Sequence, residues 1–415
     1  MNNKENSVLV AGFNTRPLVY SLHRAGYDVY AVDFFGDLDL YPFVKDCLIL
    51  TKKISVNYEI AKSNYSEYLS LLILELLDKY PDIKNLIIGS GLDDGIEERA
   101  LILKDINRKK YKIFNLNNEL EAIKKSRNTE FIFNLLIKFG YDVPRTVSFH
   151  EDKSKFNKLE YPFILKKKSG SGGTNVYKIR NESDLTLNIN LINREGFVPK
   201  DWLIQEYIEG NPVSCTTISN GVESEVVSVN YQLIGDKYLN APKEFMYCGN
   251  VVPANIFTEE RKLIVDISLK LSVMLGLKGI NGFDFVLRNQ YPYLIEINPR
   301  IPGSIRASEE AININLLDLH VESFTEKGWE FVKKTLKDAK TENFTTKMIF
   351  FAPKEIDKNL LNKINALEYV HDKSEPVKNI YKNEPVCTIL IKGKSFSDSY
   401  LGGLRVVDKI KKIIN

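Results

Sequence analysis

The chain has 415 residues, of which 44% are hydrophobic and 27% are charged, an ordinary composition for a globular protein. Since domains usually have about 100–200 residues, we expect several domains, each with a core of its own. The 57 basic residues nearly balance the 54 acidic ones, so the net charge of +3 does not indicate a nucleic-acid or membrane surface.

Cysteine spacing and hydropathy exclude further classes of protein. The 4 cysteines are far apart and form no CxxC motif, so neither structural zinc nor a disulfide framework is expected. The first residues, MNNKENSVLVAG, lead directly into a short strand and do not resemble a signal peptide. No apolar run approaches the length of about 18 residues that indicates a membrane span. We therefore expect a soluble, cytoplasmic protein with no nucleic-acid or membrane partner.

The first part of the chain predicts parallel α/β structure. Residues 8–33 have the pattern of a strand, a glycine turn, a helix and a second strand, and IKNLIIGSG at 83–91 predicts another buried strand. Residues 1–117 are therefore predicted to form a doubly wound α/β domain. Its ligand crevice should lie at the carboxyl ends of the strands, near residues 12–16 and 89–94.

The remainder predicts α+β structure. From about residue 144, short apolar or β-branched runs are divided by glycine, proline and asparagine, which indicates antiparallel strands. A helix is predicted at 259–276, before two strands at 282–287 and 293–298. The segment from 345 is again rich in strand patterns and ends in a basic amphipathic helix.

The two strands near residue 290 predict a hairpin that carries paired acids. GFDFVL and YLIEIN have strand character, and RNQYP supplies a polar turn. With the hairpin centred on Gln290, Asp284 lies opposite Glu296, and Asn298 shares the face of Glu296 because side chains alternate along a strand. The other face is predicted to form core from Phe283, Phe285, Leu287, Ile295 and Ile297.

This hairpin predicts a metal site. Two carboxylates directly opposite each other, with Cβ atoms about 4.5–5.5 Å apart, repel, and a bound divalent cation removes that repulsion. Carboxylate and amide oxygens suit Mg²⁺, with Mn²⁺ as an alternative. The predicted ligands are Asp284, Glu296 and Asn298. The alternative interpretation is a solvated polar face that happens to hold two acids, and a one-residue slip in register would also remove the site.

The segment YPFILKKKSGSGGTNVYKI predicts two strands joined by a small flexible loop. Glycines let backbone N–H groups approach an anion closely, and three consecutive lysines add positive charge. The loop is not a P-loop, because no GK[ST] follows it and the next element is a strand. The alternative is an ordinary glycine-rich turn with solvated lysines. The candidate anion-binding residues are Lys166, Ser169, Gly170, Ser171, Gly172 and Gly173.

A third candidate segment is WLIQEYIEG. An apolar strand of this kind can present its backbone edge to a purine while apolar side chains cover the ring. The alternative is an ordinary amphipathic strand and turn. The candidate residues are Gln205, Glu206, Tyr207 and Ile208.

The order of these features resembles the ATP-grasp superfamily over roughly residues 5–320, and IEINPR is its most specific part. The resemblance implies a pre-ATP-grasp α/β domain at 1–117 and an ATP-grasp lid subdomain with the glycine-rich loop at 118–204. A larger α+β subdomain that binds metal and nucleotide follows at 205–335. A small β-rich C-terminal segment takes residues 336–415.

The resemblance also implies roles for single residues. Lys166 matches the phosphate-binding lysine, and Arg300 matches the arginine that faces the transferred phosphate or the substrate, so these two are the predicted catalytic residues. The glycine loop would close over the phosphates, and residues 206–208 would contact the adenine through the backbone. A further ATP-binding lysine of the family is replaced here by Arg127, with Lys125 as the alternative.

The segments AGFNTR, AGYDVYAVDFFGDLDL and EPVCTILIKG resemble a subgroup of predicted ATP-dependent carboligases related to biotin carboxylase. RIPGSIRAS stands where biotin carboxylases have Gln-Val-Glu-His, so we do not expect bicarbonate and biotin as substrates. The resemblance implies a ligase that uses Mg-ATP to convert a small-molecule carboxylate into an acyl phosphate and joins it to an amine. A homodimer stays open, because dimers are common in this superfamily.

Four other functions stay open. A kinase or a carboxylase could use the same fold and the same phosphoryl transfer from ATP. A non-catalytic ATP-binding protein is disfavoured, because a dead site need not keep paired acids. A dinucleotide-binding oxidoreductase fits the opening strand–helix–strand unit and Asp33, but the single Gly12 stands where GxGxxG is needed.

Overall fold

The structure is a computed structural model that describes residues 7–53, 64–109, 111–149, 160–170, 172–194, 196–375 and 379–415. These residues form three β-sheets of five, four and eight strands. None of the helices in these ranges is long and apolar enough to cross a membrane.

The five-stranded sheet is parallel and has the order β3-β2-β1-β4-β5. Its central strands are apolar along almost their whole length, as expected for strands that helices cover on both faces. The predicted doubly wound fold of this region is confirmed. The strands are β1 (Ser7–Gly12), β2 (Asp28–Asp33), β3 (Asp46–Ile49), β4 (Asn85–Ile88) and β5 (Phe114–Asn115). The helices are α1 (Arg16–Arg24), α2 (Leu50–Lys53), α3 (Tyr65–Lys79) and α4 (Ile96–Arg108).

The four-stranded sheet is antiparallel and has the order β6-β9-β7-β8. Its two strands β7 and β8 pair directly, and the predicted glycine loop joins them. The strands are β6 (Thr146–Ser148), β7 (Phe163–Lys167), β8 (Val176–Ile179) and β9 (Trp202–Glu206). The helices of this region are α5 (Leu120–Arg127), α6 (Thr129–Lys138) and α7 (Glu182–Asn193).

The eight-stranded sheet is antiparallel and has the order β14-β13-β10-β11-β12-β15-β17-β16. The strands are β10 (Asn211–Asn220), β11 (Ser224–Ile234), β12 (Tyr247–Val252), β13 (Lys278–Arg288), β14 (Tyr291–Asn298), β15 (Phe344–Phe351), β16 (Val370–His371) and β17 (Pro385–Gly393). The β-rich C-terminal segment thus adds three strands to the sheet of the acidic hairpin instead of forming a sheet of its own. The helices are α8 (Thr258–Met274), α9 (Ile305–Ile312), α10 (Leu316–Glu322), α11 (Glu326–Asp338), α12 (Lys358–Asn365) and α13 (Phe396–Ile414).

Side-chain alternation on β13 decides which residues face the core. Phe283, Phe285 and Leu287 are buried and pack in one cluster with apolar side chains of α8. Because successive side chains point to opposite faces, Asp284 is turned away from this core. Burial of the three apolar residues therefore fixes the direction of the acid.

The hairpin register confirms that Asp284 faces Glu296, but the turn differs from the prediction. The turn has two residues, Asn289 and Gln290, both with positive φ, and the closing pair is Arg288 with Tyr291. A regular ladder from this turn would place Asp284 opposite Ile295. A β-bulge between Asp284 and Phe285 shifts the register by one residue and restores the acidic pair.

The same bulge corrects one predicted core residue. Ile295 is only partly buried, whereas its neighbour Leu294 is 1% exposed and pairs with Phe285. The extra residue of a bulge breaks the strict alternation of faces. Leu294 therefore takes the core position that the sequence pattern assigns to Ile295.

Gly249 lies on β12 where this strand pairs with β15, the first of the C-terminal strands. It has φ +133°, and a Cβ there would lie 2.0 Å from the Lys347 carbonyl oxygen on β15. Gly249→Ala should lower the free energy of unfolding by about 3 kcal/mol or more. The new methyl group would push β12 and β15 apart, and the positive φ would add backbone strain. Urea unfolding followed by circular dichroism measures this change.

Gly26→Ala is the matched control. Gly26 has φ +87°, but nothing lies within 4 Å of its added Cβ, so only backbone strain of about 1 kcal/mol is expected. An equal loss in the two variants would contradict the close approach of β12 and β15.

Candidate active site

The charged cleft lies where α5, the β7–β8 hairpin and β14 converge. It has a volume of about 670 Å³, part of which is open to solvent. Arg127 reaches it from the end of α5, Lys166 from β7 and Glu296 from β14. Ser169, Gly170 and Gly173 also line it, together with apolar side chains of α6 and β14. The structure thus brings the predicted phosphate-binding lysine, its loop and one predicted metal ligand to one place.

Of the acidic pair, Glu296 lines the cleft, whereas Asp284, Asn298 and Arg300 are not among its described lining residues; Asp284 is paired with Glu296 in the hairpin ladder. Asp284 accepts hydrogen bonds from Asn298 Nδ2 at 2.7 Å and from Gln232 Nε2 at 2.9 Å. Burial and the charge of Glu296 raise the pKa of Asp284 to about 6. The ionised pair is therefore costly, and a proton or a cation at this position stabilises it.

The donor set of Asp284, Glu296 and Asn298 fits a hard divalent cation. This set contains only two carboxylates, and the described part of the chain holds no group of three or more His, Cys, Asp or Glu side chains that could bind a metal. Two carboxylates and one amide suit Mg²⁺, which takes few protein ligands and completes its shell with phosphate or water. The raised pKa of Asp284 shows a charge pair that such a cation would relieve.

Arg127 neutralises the second acid. Its Nη1 donates to Glu296, its Nε donates to Asp94 at 2.8 Å and its Nη2 donates to the Gly170 carbonyl oxygen at 2.6 Å. Lys125 instead has a side chain that is 47% exposed and lies 4.0 Å from Glu121. Of the two candidates for the family's first lysine, Arg127 is therefore the one at the cleft.

Lys166 is a cation in a poorly solvated position. Its Nζ donates to the Ile295 carbonyl oxygen at 3.4 Å. Burial lowers the pKa of Lys166 to about 8, although the charge of Glu296 opposes this shift. An anion placed in the cleft would favour the charged form of this side chain.

The glycine loop adopts conformations that other residues rarely take. Gly170, Gly172 and Gly173 have φ of +143°, +66° and +77°. A Cβ on Gly173 would lie 1.8 Å from the Phe245 carbonyl oxygen, so the glycine is also required for packing. Ser171, the remaining predicted loop residue, lies outside the described residues.

The predicted adenine segment is not part of the cleft lining among the described residues. Gln205 is 2% exposed and donates to Thr146 Oγ1 at 2.9 Å. The Glu206 N–H donates to the Arg145 carbonyl oxygen at 2.8 Å, so this amide is already used within the protein. Backbone contacts from Tyr207 and Ile208 to a base stay a prediction.

Arg300 is held by a carboxylate that no sequence motif includes. Its Nε donates to Asp93 at 2.5 Å, and its Nη2 lies 3.5 Å from Asn298 Oδ1. Burial would raise the pKa of Asp93, but the charges of Arg300, Arg127 and Arg99 hold it below its ordinary value. The signal for Asp93 and Asp94 was their position in the loop that follows β4, at the carboxyl edge where ligand crevices form.

The comparisons with other sequences agree with this architecture. Residues 130–304 match a family model described as an ATP-grasp domain. An uncharacterized protein of Methanocaldococcus jannaschii is 28% identical over 389 residues, which are 92% of this chain and 88% of that protein. The arginine-specific large chain of carbamoyl phosphate synthase from Geobacillus stearothermophilus is 22% identical over 276 residues. These cover 64% of this chain and only 24% of that protein.

Solved structures show the same fold. The L-amino acid ligase from Bacillus licheniformis superposes with a TM-score of 0.67 over 98% of both chains, at 17% identity. A beta-gamma-ATP complex of biotin carboxylase from Campylobacter jejuni superposes with a TM-score of 0.72 over 100% of this chain and 96% of that chain, at 14% identity. At such identities the likeness shows the fold alone.

The three sheets have the ATP-grasp fold. Residues 130–304 of the chain match an ATP-grasp domain, and the whole chain shares the fold of solved ATP-grasp structures. This confirms the predicted superfamily and fold. The narrower likeness to predicted carboligases stays a prediction, because the relative matched over most of its length is itself uncharacterized.

Removing Asp93 should destabilise the protein strongly. Asp93→Ala leaves Arg300 without its partner and removes the anion beside the buried Arg99, which should lower the free energy of unfolding by about 3–5 kcal/mol. Arg127→Ala should cost less, about 1–3 kcal/mol, because the Arg127 side chain is 10% exposed but its partners Glu296 and Asp94 are 36% and 29% exposed and water can solvate them in its absence. Urea unfolding of both variants makes the comparison, and losses of the same size would contradict it.

Proposed function

We propose that the protein is an ATP-dependent ligase that activates a small-molecule carboxylate as an acyl phosphate and joins it to an amine. The observation that carries this proposal is the acidic pair of Asp284 and Glu296, in which Glu296 lines the same cleft as Lys166 and Arg127. The fold shared with an L-amino acid ligase supports it. A cytoplasmic location and a homodimer remain part of the proposal.

Each charged group has a role in this reaction. Asp284, Glu296 and Asn298 would hold Mg²⁺, or Mn²⁺ in its place, and the ion supplies positive charge to the β- and γ-phosphates. Lys166 and the amides of the glycine loop bind phosphate oxygens. Arg300, which Asp93 holds at 2.5 Å, faces the transferred phosphoryl group or the substrate carboxylate.

The chemistry proceeds in two displacements. A carboxylate oxygen of the substrate attacks the γ-phosphorus of ATP, the bond to the bridging oxygen breaks, and ADP leaves. The amine nitrogen then attacks the acyl carbon, phosphate leaves, and the nitrogen gives up a proton. The protein contributes by aligning the groups, neutralising charge and excluding water, since an acyl phosphate hydrolyses readily.

A carboxylase is the second candidate function. The likeness of the whole chain to biotin carboxylase favours it. In that reaction bicarbonate takes the place of the substrate carboxylate, and a kinase would stop after phosphoryl transfer. Release of ADP with bicarbonate alone, but not with organic carboxylates and amines, would select the carboxylase.

Glu296→Gln removes one charge from the acidic pair while keeping its shape. It should reduce substrate-dependent ADP release by at least about 100-fold. The cation loses one anionic ligand and is then held less well beside the phosphoryl group that is transferred. The assay follows ADP and phosphate with Mg-ATP and pools of carboxylates and amines. Circular dichroism checks that the variant is folded.

Glu259→Gln is the control for this substitution. Glu259 lies on α8, and its carboxylate pairs with Lys262 at 2.9 Å. The Glu259 side chain is 76% exposed, so its substitution should leave ADP release unchanged. Normal turnover of Glu296→Gln would show that the cation site is assigned to the wrong residues.

The pH dependence follows from two shifted groups. Asp284, with a raised pKa of about 6, takes up a proton as pH falls below that value and then binds a cation poorly. Lys166, with a lowered pKa of about 8, loses its charge as pH rises above that value. The kcat/KM for ATP should therefore fall on both sides of this range.

Lys166→Arg separates the two limbs of the profile. Arginine keeps its charge throughout, so the fall above pH of about 8 should disappear while the fall at low pH remains. Steady-state rates across the pH range measure both limbs. A high-pH limb that is unchanged in Lys166→Arg would exclude Lys166 as its source.

A further inference from the structure

Asp94 joins the five-stranded sheet to the phosphate side of the cleft. It follows β4 and accepts a hydrogen bond from the Gly170 N–H at 2.5 Å. The same carboxylate binds the Arg127 guanidinium, with Nε at 2.8 Å and Nη2 at 3.1 Å. Arg127 in turn donates to the Gly170 carbonyl oxygen at 2.6 Å. The three residues form a closed set of hydrogen bonds between α5, the glycine loop and the first sheet.

The donors that Asp94 holds are of the kind that phosphate uses. Gly170 presents a loop amide, and Arg127 presents a planar guanidinium with several N–H groups. One N–H hydrogen cannot bind two anions at full strength, and two anions a few ångströms apart repel each other. A phosphate that takes these donors must therefore displace the carboxylate.

We propose that Asp94 is a positioning residue that holds Arg127 and the glycine loop in place and releases both to the phosphates when ATP binds. The inference rests on the proposed ATP-dependent function and deepens it. Asp94 acts as an internal anion that competes with ATP, and its release couples phosphate binding to the crevice of the first sheet.

The two neighbouring aspartates differ in a way that permits this exchange. The Asp94 side chain is 29% exposed, so part of it already contacts water and it can turn outward from the cleft. Asp93 is 4% exposed and remains bound to Arg300 at 2.5 Å. Asp93 thus anchors the loop that follows β4, while the Asp94 side chain in the same loop can exchange its partners.

Asp94→Asn tests the proposal on the full-length chain with Mg²⁺ and the non-hydrolysable β,γ-imido analogue of ATP, by isothermal titration calorimetry. Removal of the competing charge should lower the Kd for the nucleotide by three- to tenfold. This range is the order-of-magnitude effect of about one net hydrogen bond. Asp94→Glu, which keeps the carboxylate, should stay within about twofold of the natural protein.

Asp78→Asn is the matched control. Asp78 is in the same domain and pairs at 2.7 Å with Lys109, away from the cleft, so its loss changes the net charge equally but should leave the Kd unchanged. A Kd that is unchanged or higher in Asp94→Asn would overturn the proposal. A gain of the same size in Asp78→Asn would also overturn it, because a general charge effect would then explain the result.

Limited proteolysis separates this inference from the proposed function. Without nucleotide, trypsin should cleave after the exposed Lys168 several-fold faster in Asp94→Asn, because the glycine loop has lost its anchor. Equal cleavage rates would overturn the anchoring role. If the natural protein bound no nucleotide at millimolar concentration, the ATP-dependent function would fail whatever the cleavage rates were.

Discussion

Two carboxylates that face each other across a β-hairpin set the electrostatic requirement of this protein. Asp284 and Glu296 are paired by the ladder, and burial and the charge of Glu296 raise the pKa of Asp284 to about 6. The surrounding groups reduce this repulsion. Asn298 and Gln232 donate to Asp284, and Arg127 pairs with Glu296. The candidate active site is the arrangement of positive groups that this acidic pair requires.

The charged groups of the candidate site come from segments of all three sheets. The four-stranded sheet supplies Lys166, and the eight-stranded sheet supplies the acids and leads directly into Arg300. The first sheet supplies Asp93 and Asp94, which hold Arg300 and Arg127. An arginine is useful at such a site only when its direction is fixed, because the free side chain has many rotamers. The first sheet therefore contributes to the candidate active site by orienting arginines of other segments.

The acidic hairpin shows which structural features the local sequence pattern predicts and which it does not. Apolar alternation on β13 correctly placed Phe283 and Phe285 in the core and Asp284 on the other face. The pairing with Glu296 was also predicted correctly, but from a turn centred on Gln290 and without the bulge. A two-residue turn and one extra residue in β14 give the same pair. Their combination was not readable, because a bulge leaves no distinct residue pattern.

The sequence by itself determined the fold class, the direction of Asp284 and the glycine loop after Lys166, because these depend on alternation and on residues that lie close together in the chain. The tertiary structure alone decided that Arg127 and not Lys125 faces the cleft. It also decided that Asp93 and Asp94 hold the two arginines, and that Leu294 replaces Ile295 in the core. Arg300 and Asp93 are separated by 207 positions, and such a contact depends on how whole sheets pack. The physical reason is that packing between segments, unlike periodicity within one segment, has no local signature in the chain.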